Sequence, residues 1–76
     1  MSEALNRALA EVAAPEVYAL AGKKLGHMSP WEDQDPSVRE TWIREEQEVI
    51  APIVQALRVI LEEDSPAGAE LRELLS

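Results

Sequence analysis

The sequence contains no cysteine and no phenylalanine, and histidine occurs once, at His27. Without cysteine the chain can form neither a disulfide nor a thiolate zinc site. A histidine-based metal site would need carboxylate partners or a second chain, so we expect no metal and no cofactor. A chain of 76 residues hides only about 60% of the surface that its unfolded form exposes. Small folds without disulfides or metals often rely on association, so we expect a homo-oligomer or a complex with another protein.

Basic residues are also few. Seven Lys and Arg stand against fifteen Asp and Glu, which gives a formal net charge of −8. Such a charge repels phosphate backbones, and we therefore predict no direct binding to nucleic acid. No stretch approaches the roughly 18 to 20 consecutive apolar residues that span a membrane. The first residues do not form a basic segment followed by an apolar run, as a signal peptide would. We expect a cytoplasmic protein that does not contact a membrane.

Prolines divide the chain into segments with helical periodicity, and no segment alternates with the period of a strand. The sequence predicts a single all-α domain over residues 1–76, a small bundle of three to four helices around one long helix kinked by proline. Because Pro15 lacks an N–H and disfavours a helical residue before it, a helix should end or kink there. The predicted helices cover about residues 2–13, 16–25, 30–34, 36–63 and 66–75.

Helix boundaries are marked by capping residues. Ser2, Asp35 and Ser65 stand where a side chain can accept a hydrogen bond from the first turn, and Pro36 and Pro66 suit the first helical position. Ser29-Pro30 repeats this pattern, with Glu32 three residues after the serine, and predicts one capped helical turn. Gly26 is placed to end the second helix. The predicted apolar stripes of the first two helices are Leu5, Leu9 and Val12, followed by Val17, Leu20, Ala21 and Leu25.

The long helix has a wide apolar face. Pro52 lies in its middle, but the apolar spacing keeps its phase across the proline, which favours one kinked helix over two separate ones. Charged Arg39 and Glu46 interrupt the face towards the N-terminal end, so the part after Pro52 is the better candidate for a self-associating surface. The candidate interface residues are Ile50, Ile53, Val54, Leu57, Ile60 and Leu61; the candidate residues of the internal core are Trp31, Trp42, Val38 and Val49.

Two readings are open for the tryptophans. Trp31 and Trp42 flank the Asp35-Pro36 corner and could form a platform for a partner. A tryptophan at a helix corner more often packs against the next helix and closes a small core, and we favour that role.

No group of residues indicates catalysis. Glu45, Glu46 and Glu48 could bind a cation together with Glu32, Asp33 and Asp35, but the Glu-x-x-His pattern of helical metal sites is missing; a solvated acidic face explains them. His27 lies in a turn without a partner nucleophile, and the serines stand mostly at helix starts. We therefore predict no catalytic, cofactor-binding or metal-binding residue, and no enzyme activity.

The layout of Trp31, Asp35, Arg39 and Trp42 resembles small uncharacterised proteins of actinobacterial phages and their hosts. Those proteins carry a tryptophan, an acidic or proline corner, and then Arg-x-x-Trp or Arg-x-x-Tyr, which Arg39-Glu40-Thr41-Trp42 matches. The resemblance covers about residues 16–60 and departs from the common pattern at Pro52. It implies a phage-like context and no activity.

The sequence therefore favours a non-enzymatic interaction or assembly protein that self-associates through the apolar face of the long helix. The alternative is an acidic inhibitor that imitates nucleic acid and occupies a basic site on a host protein. The net charge supports this second function, although Arg39, Arg44 and Arg58 interrupt the negative surface.

Overall fold

A computed structural model describes residues 1–76 and contains three α-helices and one short 3-10 turn, with no strand. Helix α1 spans Glu3–Leu25, the 3-10 turn Trp31–Asp33, helix α2 Pro36–Glu62 and helix α3 Pro66–Leu75. The predicted all-α class is confirmed.

The two helices predicted before residue 26 are one helix, so the predicted end at Pro15 is wrong. Ala10, Ala14 and Tyr18 lie one turn apart and are the buried residues of α1, with Pro15 inside the run they define. Proline in a helix removes one backbone hydrogen bond and costs about 3 kcal/mol in an isolated helix. Packing of this buried row on both sides of Pro15 offsets that cost. Helix α2 likewise continues through Pro52, as one helix rather than two.

Most helix ends carry the predicted caps. Ser2 Oγ accepts a hydrogen bond from the Leu5 N–H at 3.1 Å, and Ser65 Oγ from the Gly68 N–H at 3.1 Å. Asp35 accepts from both the N–H and the hydroxyl of Ser37, which lowers the pKa of the Asp35 carboxyl. Gly26 ends α1 in the left-handed conformation, with φ 81°, which a residue with a side chain rarely adopts.

Ser29 does not have its predicted capping role. The 3-10 turn begins after Pro30 without a side-chain cap. The carbonyl of Ser29 instead accepts a hydrogen bond from the Tyr18 hydroxyl, and Gln34 Nε2 lies 3.5 Å from the same oxygen. The Ser29 carbonyl therefore ties the segment before the 3-10 turn to α1, without a side-chain cap.

Helices α1 and α2 lie antiparallel. Asn6 Nδ2 donates to the Gln47 carbonyl at 3.1 Å, while Tyr18, further along α1, meets Trp42, which comes earlier in α2. Small Ala10 and Ala14 are fully buried at this contact. Their methyl groups let two helices approach closely, and the larger side chains of α1 are left outside.

Helix α3 folds back on the end of α2. Arg72 Nη1 donates to the carbonyl oxygens of Leu61 at 2.8 Å and Glu63 at 3.2 Å, which supplies partners to the last turn of α2. Gly68 is buried at the crossing. A Cβ atom at Gly68 would lie against the Glu63 carbonyl oxygen and 2.7 Å from that of Ile60, so only glycine fits without a backbone shift.

The two helical glycines should respond in opposite directions to alanine. Gly68→Ala should lower the free energy of unfolding by about 1–3 kcal/mol, because the new methyl overlaps backbone that cannot yield. Gly22→Ala should raise it by about 0.5–1 kcal/mol, because a Cβ there would meet only the Met28 Cβ at 3.6 Å. Chemical denaturation followed by circular dichroism measures both. A Gly68→Ala variant as stable as wild type would contradict the close crossing of α2 and α3.

Candidate interaction surface

An aromatic cluster closes one end of the molecule. The ring of Tyr18 lies edge-on to Trp31, with centroids 5.4 Å apart, and to Trp42, with centroids 5.2 Å apart. Tyr18 is buried and both tryptophans are half-buried. Such edge-to-face pairs add about 0.5–1.5 kcal/mol beyond the area they bury. The cluster ties α1, the 3-10 turn and α2 together.

A polar network joins the N-terminal part of α1 to the first turns of α2. The Arg7 guanidinium binds Glu40 through two hydrogen bonds, of 2.9 and 2.6 Å, and also contacts Glu11 at 2.9 Å. Its hydrogen bonds to Glu40 and then Glu11 raise the pKa of Arg7, and the same bond from Arg7 lowers the pKa of Glu40. Arg44 approaches Glu40 from one turn along α2, at 3.7 Å. These contacts fix the register of α1 on α2.

The predicted interface residues fall into three groups. Ile50 is buried between α1 and α2, so its assignment to an external surface is wrong. Val54, Ile60 and Leu61 are half-buried. Ile53 is 50% exposed and Leu57 is 42% exposed.

Two predicted core residues are also misplaced, since Val38 and Val49 are exposed. Helix α1 occupies the side of α2 that carries Ile50, and the face with Val49 is left uncovered. Val49, Ile53 and Leu57 follow at intervals of four residues and form one line along α2. We call these three residues the apolar stripe.

At its C-terminal end the apolar stripe opens into a cavity between α2 and α3. The cavity has a volume of about 220 Å³, below the range of about 300–1,000 Å³ typical of small-molecule sites. It has the size to take a side chain of another protein. We call it the C-terminal groove; its lining is Leu57, Ile60, Ala67, Glu70, Leu71 and Leu74.

Charge is uneven along the molecule. The segment from residue 62 onwards holds one basic residue, Arg72, whose guanidinium is engaged with backbone carbonyls. Its acidic residues are Glu62, Glu63, Asp64, Glu70 and Glu73. Lys23 and Lys24 end α1 and form no ion pair.

No group of three or more histidine or acidic side chains is placed to hold a metal ion. His27 is exposed, and its Nδ1 lies 2.7 Å from the Leu25 carbonyl oxygen. This contact is with the last residue of α1. The cleft beside it, of about 470 Å³, is lined by residues of the α1 end and the 3-10 turn. None of the helices is both long and apolar enough to cross a membrane.

The contact face of α1 differs from its predicted apolar stripe. Its leucines form the obvious stripe, yet Leu5, Leu9, Val12, Leu20 and Leu25 are all exposed. The informative pattern was the spacing of Ala10, Ala14 and Tyr18, two small residues and an aromatic at intervals of four. Such a row favours close helix packing over maximal burial of large side chains.

Searches of protein-family models, curated proteins and solved structures found no match for this chain. The functional interpretation therefore rests on the apolar stripe and the C-terminal groove.

The contact between Arg7 and Glu40 predicts a specific pH dependence. The folded-state pKa of Glu40 lies below its ordinary value of 4.5, so its contribution to stability is complete above that value and is lost as the pH falls through the folded pKa. Glu40→Gln should therefore lower stability at pH 7, and the difference from wild type should shrink on acidification. Denaturation curves across pH 2 to 7 measure this.

Glu45→Gln is the matched control, since Glu45 stands on the same helix and forms no ion pair. It should not reproduce the effect. A difference between wild type and Glu40→Gln that stays constant with pH would show that Glu40 does not act through its charge.

Proposed function

We propose that this chain is a non-enzymatic interaction or assembly protein that self-associates through the apolar stripe and the C-terminal groove. The observation that carries the proposal is the amount of apolar surface left uncovered. Thirteen large apolar residues are exposed, and the only buried large side chains are Tyr18 and Ile50.

The overall dimensions support this function. The accessible surface is 5783 Å², whereas a compact protein of 8.4 kDa exposes about 4,600 Å². The radius of gyration is 15.1 Å, against about 11 Å for a compact domain of this length. The excess area of about 1,200 Å² is of the order that specific protein interfaces bury in total. Association would convert this surplus into buried surface.

The apolar stripe is the strongest part of that surface. Exposed apolar patches that are continuous and large mark interaction sites, whereas scattered apolar residues do not. Ile53 and Leu57 lie one turn apart, and Leu57 also lines the groove with Leu71 and Leu74. The stripe and the groove therefore form one continuous surface on two helices.

An acidic mimic of nucleic acid is the second candidate, and its support is the net charge of −8. Arg7 and Arg44 meet Glu11 and Glu40 on the surface, which breaks up the negative field that a mimic needs. The two functions differ in their response to salt. At about 1 M salt the Debye length is about 3 Å, so binding of a mimic to a basic target should be lost. Apolar self-association should persist.

The decisive measurement is the molar mass in solution. Light scattering after size exclusion should give a mass above the 8.4 kDa of one chain, increasing with concentration and retained at high salt. A mass of one chain at every concentration would reject self-association. Salt-sensitive capture of a nucleic-acid-binding protein by that monomer would then favour the mimic.

The apolar stripe can be tested with a matched pair of variants. Ile53→Ser should weaken self-association by about tenfold or more, because burying an isoleucine is worth about 1.5–3 kcal/mol. Val59→Ser is the control: Val59 is 51% exposed and Ile53 is 50% exposed, yet six residues of helix place Val59 about 120° away around α2. Equal weakening by both variants would contradict an interface centred on the stripe.

A further inference from the structure

The two ends of the molecule carry complementary features. The chain measures 44 × 28 × 19 Å, and α2, with 27 residues, accounts for about 40 Å of the long dimension. Because α1 runs antiparallel to α2, the end of α1 lies beside the start of α2. Helix α3 and the C-terminal groove lie at the other end.

The end of α1 presents an apolar and basic surface, which we call the basic end: Leu20, Lys23 and Lys24. All three residues are exposed, Leu20 by 59%. Leu20 and Lys24 are one turn apart and lie about 200° and 240° around the helix from Tyr18, on which the 3-10 turn packs. They therefore face away from the acidic residues of that turn, Glu32 and Asp33.

The C-terminal groove presents the opposite character. Leu57, Ile60, Leu71 and Leu74 supply an apolar lining, and Glu70 stands among them. Glu73 follows one turn along α3 and is exposed. An apolar side chain that entered this groove from a helix carrying lysines would meet the Glu70 carboxylate in the lining, with Glu73 on the adjacent side of α3, about 60° around the helix from Glu70.

We propose that the chain assembles head to tail, with the basic end of one copy docked in the C-terminal groove of the next. This inference rests on the proposed self-association and specifies its geometry: the apolar stripe, which reaches the groove at Leu57, would border the docked copy. Leu20 would fill the groove as a helix side chain fills a hydrophobic groove, and Lys23 and Lys24 would pair with Glu70 and Glu73. Rim pairs of this kind select the partner and its orientation more than they add affinity.

Distance excludes an intramolecular contact. The two surfaces lie at opposite ends of a molecule 44 Å long, so a chain cannot place its own basic end in its own groove. A head-to-tail contact uses different surfaces on the two copies, and repetition yields a ring or a filament rather than a closed symmetric dimer. The excess area of about 1,200 Å², divided between the two ends, would give each contact about 1,200 Å² in total, the lower limit of standard interfaces.

Two blocked variants test this geometry. Leu20→Glu places an acid on the basic end, and Leu74→Glu places one in the groove; both positions are exposed, so the fold should be retained, as circular dichroism can verify. Each variant alone should have the mass of a single chain under conditions where wild type associates. Their equimolar mixture should form a 1:1 complex that stops at two chains. The intact basic end of the Leu74→Glu copy can dock in the intact groove of the Leu20→Glu copy, and the two remaining ends are blocked.

The control is Val12→Glu, since Val12 and Leu74 are each 75% exposed and receive the same added charge. It should associate as wild type does. If wild type is a monomer, self-association itself is rejected, and head-to-tail assembly with it. If wild type associates, three results would overturn the head-to-tail geometry and leave self-association standing. They are association of either blocked variant alone, no complex in the mixture of the two, or loss of association in Val12→Glu.

Discussion

The close contact between α1 and α2 determines what the rest of the chain can bury. It is made by the methyl groups of Ala10 and Ala14, both without accessible surface, so the helices approach closely and exclude water along a narrow line. A narrow line hides little area. Once α1 has turned its small residues inward, its leucines point outward, and α3, with ten residues, covers only the end of α2. The three helices leave the rest of α2 uncovered, so the exposed apolar surface is a consequence of this packing.

Polar contacts provide the specificity that a small apolar contact cannot. Alanine rows slide easily against another helix, because neighbouring registers bury similar areas. Arg7 removes that freedom by binding both oxygens of Glu40, and the Asn6 amide adds a bond to the Gln47 backbone. Further along α1, the Tyr18 ring packs edge-on against Trp31 and Trp42, and its hydroxyl donates a hydrogen bond to the Ser29 carbonyl. Two anchors at separate points along α1 define both its register and its rotation about its own axis.

Local features of the sequence predicted local structure well, because caps and glycine ends depend on a few neighbouring atoms. Ser2, Asp35, Ser65 and Gly26 behave as their positions indicate. Predictions failed where a choice of packing face decided the outcome. Ile50 and Val49 are adjacent on a wide apolar arc, and only the position of α1 determines that Ile50 is buried and Val49 exposed. Likewise, Pro15 alone indicates a helix end, and the buried row on both sides of it overrides that tendency.

The C-terminal groove is shaped by contacts within the chain. Gly68 allows α3 to cross close to the carbonyls of Ile60 and Glu63, Ser65 caps its first turn, and Arg72 returns to the end of α2. These contacts use backbone atoms and the side chains of Ser65 and Arg72, and none uses a side chain that lines the groove, so Leu57 and Leu74 remain exposed. A preformed groove reduces the conformational entropy lost on binding. For the proposed head-to-tail contact this advantage would matter, because an interface of about 600 Å² on each copy leaves little free energy to offset the ordering of a loop or a helix.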